Sequence, residues 1–380
     1  MAREAICPMF KKCGGCGFLD VEYSLQLAMK KNEIKVILDE LKIPGEIKMY
    51  FKDEYYYRNR MDFSFSPEGP GQREKGKFYK VVSFEKCYIA NEGVNKALAN
   101  VREWFLNNKA QISVFDSRSN KGCLRYSTTR SSFYAKDTSI TFILNKDSEE
   151  VDAHKVLIKK FADTYEVPNV LVGLVKHNTD VSITQDYEVI RGNDFLKERL
   201  GKNIFYFHTQ GFFQNNSPVM MDMLHYVKEK LGTGHELLVD LFGGVGTFGI
   251  FMADTAKEVF IIDNDKFNIE CAQKNIVAND TKNVRLFEMD AKEMKKIAYQ
   301  FVNKKSVFVL DPPRVGLHKD TVKFIEEVKP KTMVYVSCNP QQLGNDLLAL
   351  KKFYEVKEMA IFDMFPQTKH IESIVLLELK

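Results

Sequence analysis

Apolar and polar positions change rhythm twice along this 380-residue chain. Val21, Leu25, Ile34, Ile37, Leu38 and Leu41 recur at a spacing close to 3.6, which predicts a helix over 21–41. From 45 to 190 the pattern breaks into short β-type runs at 61–65, 80–84, 139–144 and 169–175. Turn-like clusters separate them, with helical patterns near 93–107 and 149–164. Beyond Gly201-Lys202-Asn203, which reads as a boundary, strand-length apolar runs at 237–241, 259–262, 284–288, 307–310, 333–337, 356–362 and 373–379 alternate with helical patterns near 266–278, 291–302, 319–328 and 341–351. No helix separates the last two runs, so one of them should run antiparallel to the rest. The predicted class is α/β: a seven-stranded, mostly parallel C-terminal sheet over 201–380, an α+β middle domain over 45–200, and an N-terminal segment over 1–44 that also draws in Cys87.

At 44% hydrophobic and 28% charged, the chain can build extensive cores, which excludes disordered and small disulfide-stapled classes. No apolar stretch approaches the roughly 18 residues of a membrane span. The first residues, Met1-Ala2-Arg3-Glu4-Ala5-Ile6-Cys7, lack the apolar core of a secretion signal, so a cytoplasmic location with reduced thiols is expected. Neither a membrane nor an obligate protein partner is implied. The net charge of +4 says little, but residues 51–130 hold 15 basic against 9 acidic side chains among many Tyr and Phe. That mixture suits phosphate neutralisation and base stacking, or equally a solvated basic sheet face over an aromatic core.

Three strand tips look like stations for a nucleoside. Val239-Asp240-Leu241-Phe242-Gly243-Gly244-Val245-Gly246-Thr247 puts glycines in the turn after the first strand, letting backbone approach a ligand. The spacing is not G-x-G-x-x-G and there is no P-loop lysine, so neither NAD nor ATP is favoured. About twenty residues on, the second strand ends at Asp263, suited to ribose hydroxyls. The third ends at Asp290, suited to an adenine amine. This pattern resembles the S-adenosylmethionine-binding half of Rossmann-like methyltransferases.

Asp311-Pro312-Pro313-Arg314 and Ser337-Cys338-Asn339-Pro340 close the fourth and fifth strands. Glu372, 34 residues beyond Cys338, opens the last run. An antiparallel last strand beside the fifth would put thiol and carboxylate at one pocket. Such a pair beside a methyl donor suits the C5 carbon of uracil, which becomes nucleophilic only after a thiolate adds at C6 and which must later lose its proton to a base. A lone cysteine after a strand otherwise reads as a buried small hydrophobe. Asn215 is placed to cap a following helix. Cys7, Cys13 and Cys16 cluster around Gly14-Gly15 with Cys87 as a candidate fourth ligand, and four thiolates suit tetrahedral zinc or an iron–sulfur cluster.

Together these residues resemble the S-adenosylmethionine-dependent RNA uracil-C5 methyltransferases. The resemblance rests on the early Cys-x5-Cys-x2-Cys, Tyr57-Arg58-Asn59-Arg60, Phe212-Phe213-Gln214-Asn215-Asn216, Asp240 to Phe248, the two Pro-containing tips, and His370-Ile371-Glu372-Ser373. It implies Cys338 as nucleophile and Glu372 as proton acceptor. Gln214, Phe242, Gly244, Thr247, Asp263, Asp290 and Asp311 become donor- or substrate-binding positions. Asp263 stands where Glu is usual and Thr247 where Asn is frequent. The resemblance also implies a four-iron, four-sulfur cluster rather than zinc on Cys7, Cys13, Cys16 and Cys87. RNA is the expected partner, a T-loop uridine of transfer RNA ahead of 23S ribosomal RNA, with Tyr57, Arg58, Arg60, Arg125 and Arg130 as contacts. Only six residues precede Cys7, so the small β-barrel RNA-binding module of some relatives is not expected. The alternatives are a methyltransferase acting on another base atom and a non-catalytic, redox-sensing iron–sulfur RNA-binding protein.

Overall fold

The seven C-terminal apolar runs all become strands of one sheet in a computed structural model that describes residues 3–301 and 305–380. The sheet has eight strands, in the order Ile47–Tyr50, Tyr354–Phe362, Glu372–Leu379, Thr332–Ser337, Ser306–Leu310, His235–Leu241, Ala256–Asp263, Val284–Glu288. Glu372–Leu379 runs antiparallel to both its neighbours and every other pairing is parallel. Strand order reverses at His235–Leu241, the switch point where doubly wound sheets open a crevice for ligands.

Both faces of this sheet are covered, which is why its central strands read as nearly continuous apolar runs. On one face Leu238, Ile261, Val309 and Val334 pack beneath the helix Ser217–Leu231. On the other, Leu237, Phe260, Phe308 and Tyr335 meet the helices Tyr23–Glu40, Lys319–Val328 and Pro340–Leu350. None of the described helices is long and apolar enough to cross a membrane.

Two expected boundaries shift. The helix Tyr23–Glu40 and the strand Ile47–Tyr50 flank the 44/45 division, yet Ile34, Leu38 and Ile47 all belong to the C-terminal core. A four-residue strand carries too little alternation to be recognised. Gly201-Lys202 is the two-residue turn of a hairpin, Phe195–Leu200 with Asn203–His208, whose Leu196, Leu200, Phe205 and Phe207 join the same core. A tight turn and a linker share a glycine-polar composition, and here Gly201 takes a φ of 61°.

The middle domain is a seven-stranded sheet ordered Lys77–Ser83, Gly69–Glu74, Arg60–Ser66, Leu124–Ser131, Thr138–Asn145, Asn169–Val175, Tyr187–Arg191. Helices Glu92–Asn107 and Val151–Thr164 pack on it through Trp104, Phe105, Leu157 and Phe161.

The loop joining the last two strands is held from behind by the N-terminal helix. Lys30 Nζ lies 2.6 Å from Asp363 Oδ1, with the two side chains 2% and 0% exposed, and donates to the Phe365 carbonyl at 3.1 Å. Tyr23 donates to the other Asp363 oxygen at 2.9 Å. Gln26 exchanges hydrogen bonds with Gln367 at 2.9 and 3.1 Å, and the Gly17 and Phe18 amides donate to the Gln367 carbonyl. Lys30→Met leaves a buried carboxylate without its cation and should lower stability by about 3–5 kcal/mol. Urea unfolding checks this, and adding Asp363→Leu should recover most of the loss.

Candidate active site

The turn after His235–Leu241 is unusually bent, with φ of 64° at Phe242, 56° at Gly244 and 82° at Gly246. A Cβ at Gly243 would stand 2.7 Å from Ile261 Cγ2, so the turn can pass the neighbouring strand only as glycine. Asp240, fully buried, fixes this turn by accepting the Gly249 amide at 2.7 Å. Burial pushes its pKa up to about 7, with the Gly249 amide opposing and Asp311 and Asp263 adding.

Asp263 is aimed by three donors: Gly244 N at 2.9 Å on one oxygen, Asp265 N at 2.8 Å and Asn268 Nδ2 at 3.2 Å on the other. Asp290 accepts the Lys292 amide at 3.0 Å and pairs with its Nζ at 2.9 Å, and these contacts hold its pKa below the usual carboxylate range. Gln214, Phe242, Gly244, Asp263, Asp290 and Asp311 line one cleft of about 680 Å³ together with Cys338 and Glu372. Thr247 lies off this cleft, on a small adjoining cavity behind Phe242 and Asp311.

The pairing of Ser337 with Ser373 explains how Cys338 and Glu372 meet, since each lies one residue beyond that pair at the same sheet edge. Ser373 Oγ donates to the Ser337 carbonyl at 3.2 Å. Glu372 is 4% exposed, and burial raises its pKa well above the carboxylate range, with Asp311 adding and Arg314 opposing. Enclosure likewise pushes Asp311 up to about 7. The Cys338 thiol is pushed up to about 11, by burial first and then by Glu372 and Asp311, while the charge and hydrogen bond of Arg314 act against the rise. Arg314 is held by Asn339, which donates to its carbonyl at 2.9 Å, and its Nη2 lies 3.3 Å from His370 Nδ1. Sequence reasoning assigned Arg314 no role in the chemistry, although its place beside Asp311 on a strand tip was a usable signal. Asn216, not Asn215, caps the helix Ser217–Leu231, accepting Val219 N at 3.3 Å; Asn215 lines the cleft.

The five expected RNA contacts are largely turned inward. Tyr57 is 2% exposed and donates to the Pro366 carbonyl at 2.9 Å. Arg125 is buried and donates to the carbonyls of Lys176, His177 and Thr179. Arg130 is buried and donates to the Gly211 carbonyl. Arg58 and Arg60 are half-buried, the first donating to the Arg60 carbonyl at 2.9 Å and the second paired with Asp62 at 3.1 Å. Tyr57, Arg125 and Arg130 therefore present no surface to a partner. A guanidinium's five donors satisfy loop carbonyls as readily as phosphates, and sequence alone does not separate the two uses. Asn59 supports the cleft instead, donating to the Gln214 and Asn215 carbonyls at 2.9 and 3.0 Å.

Cys7, Cys13, Cys16 and Cys87 converge, closely enough for neighbouring thiols to raise the pKa of Cys13, Cys16 and Cys87. Burial is the main cause pushing Cys13 up to about 11 and raising Cys16 and Cys87. The Gly15 amide points at Cys13 Sγ across 3.4 Å. Among the described residues no three His, Cys, Asp or Glu side chains gather tightly enough to hold a metal ion. Four soft thiols are a donor set that either tetrahedral zinc or an iron–sulfur cluster accepts.

Comparison with known proteins places this geometry. The tRNA (uracil-5-)-methyltransferase family profile matches residues 22–380. The tRNA (uracil(54)-C(5))-methyltransferase of Pyrococcus horikoshii is 32% identical over 375 residues, 98% of this chain and 85% of that protein. The Pyrococcus abyssi protein of the same name is 30% identical over 372 residues, again 98% and 85%. The crystal structure of the Pyrococcus abyssi enzyme with S-adenosyl-L-homocysteine superposes with a TM-score of 0.79 at 27% identity, covering 96% of this chain and 85% of that one.

The electrostatics of the cleft predict how the free thiol behaves. Alkylation of Cys338 by iodoacetamide, followed on its own peptide by mass spectrometry, should rise with pH towards a midpoint of about 11. Arg314→Gln removes the group that lowers this pKa and should slow the reaction at pH 9, whereas Asp311→Asn removes a carboxylate that raises it and should speed it.

Proposed function

The chain belongs to the tRNA (uracil-5-)-methyltransferase family, and we propose that it methylates C5 of a uridine in transfer RNA, with Cys338 as nucleophile, Glu372 as proton acceptor and S-adenosylmethionine as methyl donor. The observation that carries the assignment of roles is the meeting of Cys338 and Glu372 in the cleft that Asp263 and Asp290 also line. Those two carboxylates suit the ribose hydroxyls and adenine amine of the donor.

In this reading Cys338 Sγ bonds to uracil C6, and the electrons of the C5=C6 bond move into an enolate. Arg314, hydrogen-bonded to the sulfur, favours the thiolate that begins the step. C5 then takes the methyl group from the sulfonium centre, whose carbon–sulfur bond breaks to leave a neutral thioether. Glu372 removes the C5 proton, the C5=C6 bond reforms and the C6–S bond breaks to release the enzyme. Burial makes Glu372 a stronger base than an exposed carboxylate, which suits a proton held on carbon. A target base inside folded RNA must be extruded to reach Cys338.

Glu372→Gln should transfer the methyl group yet fail to resolve, accumulating a protein–RNA adduct stable to denaturing electrophoresis. Cys338→Ser should give neither product nor adduct. An RNA carrying 5-fluorouridine should trap the wild-type protein, and no adduct together with no transfer of labelled methyl would leave the non-catalytic binding protein ahead. Mapping the product in total RNA should return a T-loop uridine, and a modified ribosomal position would overturn the choice of substrate.

The four cysteines are proposed to hold a four-iron, four-sulfur cluster, whose contribution would be a cross-link between the N-terminal segment and Cys87 of the middle domain. Protein isolated without oxygen should contain iron and acid-labile sulfide in equal amounts, and Cys87→Ser should lose both. Stoichiometric zinc without sulfide would refute the cluster.

A further inference from the structure

The edge of the middle sheet carries a feature that the reaction does not use. Its outermost strand, Lys77–Ser83, forms a hairpin with Gly69–Glu74, and every residue from 75 to 80 is exposed. Phe78 is 77% exposed and Tyr79 52%, an unusual use of two large rings on an edge strand. Alternation puts Phe78 and Lys80 on the same face of this strand. Beside them runs a groove of about 800 Å³ whose walls include Gln72, Arg73, Lys75, Phe78, Tyr126 and Val181.

The charges around this groove do not cancel. Glu74 is paired with Lys77, Asp180 with Arg73 and Asp62 with Arg60, whereas Lys75 and Lys80 have no ion pair among the described residues. Position matters equally. Ser64 pairs with Gly71 in antiparallel register, and Gln72 Nε2 donates to the Asp62 carbonyl at 2.8 Å, so the hairpin runs back towards Arg60. The residue before Arg60, Asn59, donates to the carbonyls of Gln214 and Asn215 on the rim of the reaction cleft. The hairpin tip therefore lies at the catalytic end of the middle sheet. It is braced there by the cysteine segment, through Gly14 N to Arg73 O at 2.9 Å and Lys75 N to Lys12 O at 2.7 Å.

We propose that residues 75–80 form a docking surface for the RNA strand flanking the target uridine, with Phe78 stacking on an unpaired base and Lys75 and Lys80 neutralising phosphates. The Arg118 guanidinium covers the Tyr79 ring at 5.5 Å, which leaves Phe78 as the open face, and an exposed π-face beside unpaired lysines is the combination that holds single-stranded nucleic acid without reading its sequence. The surface rests on the reading of RNA as substrate and extends it to a region outside the cleft. It takes over the role expected of the inward-facing Tyr57, Arg125 and Arg130.

The test uses the full chain with a transcribed transfer RNA and a fluorescent T-arm hairpin. Phe78→Ala should raise both the KM for RNA and the Kd for the hairpin by roughly five-fold or more. It should leave kcat at saturating RNA, affinity for S-adenosylhomocysteine and Tm unchanged. Lys75→Ala with Lys80→Ala should flatten the slope of log K against log salt by about 1.4, near 0.7 per phosphate contact on a single strand. Unchanged Kd and salt slope in both variants would overturn the surface while leaving the methyl-transfer reading intact. Loss of self-association in sedimentation, with RNA affinity unaltered, would likewise overturn it and assign the strand edge to a second copy of the chain. If the wild-type protein methylated no RNA, the reading of the reaction would fail, and the hairpin Kd would still decide on the surface.

Discussion

A single strand running against its neighbours is what brings Cys338 and Glu372 to one cleft. Had Glu372–Leu379 entered the sheet parallel to Thr332–Ser337, its first residue would lie at the opposite edge from Cys338, a strand length of roughly 20 Å away. Antiparallel insertion instead brings the start of one strand beside the end of another, and Glu372 pairs directly with Phe362 on the far side. The connection between those last strands must then stay at the carboxyl edge, where the ligand cleft opens. That short loop bends through Gln367 at a φ of 67° and has no helix of its own to hold it. The buried ion pair of Lys30 with Asp363 and the Gln26–Gln367 exchange supply the support from outside the loop.

The same edge concentrates charge. Asp240, Asp311 and Glu372 are enclosed near one another; burial pushes all three towards the neutral form, and the charge of Asp311 adds to the rise at Asp240 and Glu372. Arg314 is the cation that acts on both Cys338 and Glu372, lowering each. A site arranged this way is poorly suited to a free thiolate and well suited to a cationic ligand, because a positive sulfonium brought among these carboxylates would favour ionisation of every one of them and of the thiol. In the proposed reaction this would couple the Cys338 thiol to occupancy of the donor position.

How much of this was legible in the sequence depended on whether a feature was local. Most of the seven C-terminal strands could be read because burial on both faces makes them continuous apolar runs, Val284–Glu288 and Tyr354–Phe362 being mixed, and the position of Asp263, Asp290, Asp311 and Cys338 at one cleft could be read because each follows a strand. Ile47–Tyr50 is too short for its pattern to register. Leu124–Ser131 escaped because its sequence, Leu-Arg-Tyr-Ser-Thr-Thr-Arg-Ser, is polar although all eight residues are buried. Placing the edge strand at 80–84 instead of Lys77–Ser83 hid Phe78 and Tyr79 from view, while Tyr57, Arg125 and Arg130 drew attention by chemistry that the fold spends internally. Burial of a polar side chain depends on carbonyls supplied by remote loops, and no local window contains them.

The cysteine segment is the place where these separate supports converge. Gly14 hydrogen-bonds to Arg73 near the tip of the exposed hairpin, and Gly17, three residues on, hydrogen-bonds to Gln367 in the loop before Glu372. Yet from residue 3 to residue 20 the only fully buried apolar side chain is Leu19, and Ile6 is half exposed. Met9 and Cys13 pack against the cluster that includes Met61 and Phe63, and Arg3 pairs with Glu54 at 2.6 Å, but these contacts and a handful of backbone hydrogen bonds, each worth about 1 kcal/mol net, do little against the entropy of ordering the segment. Cross-linking three of its side chains to Cys87 would supply what is missing, because ligation energy at such a site acts as folding energy. The proposed cluster would then have a physical role that requires no electron transfer: holding in one arrangement the segment that touches both the hairpin proposed to meet RNA and the loop before Glu372.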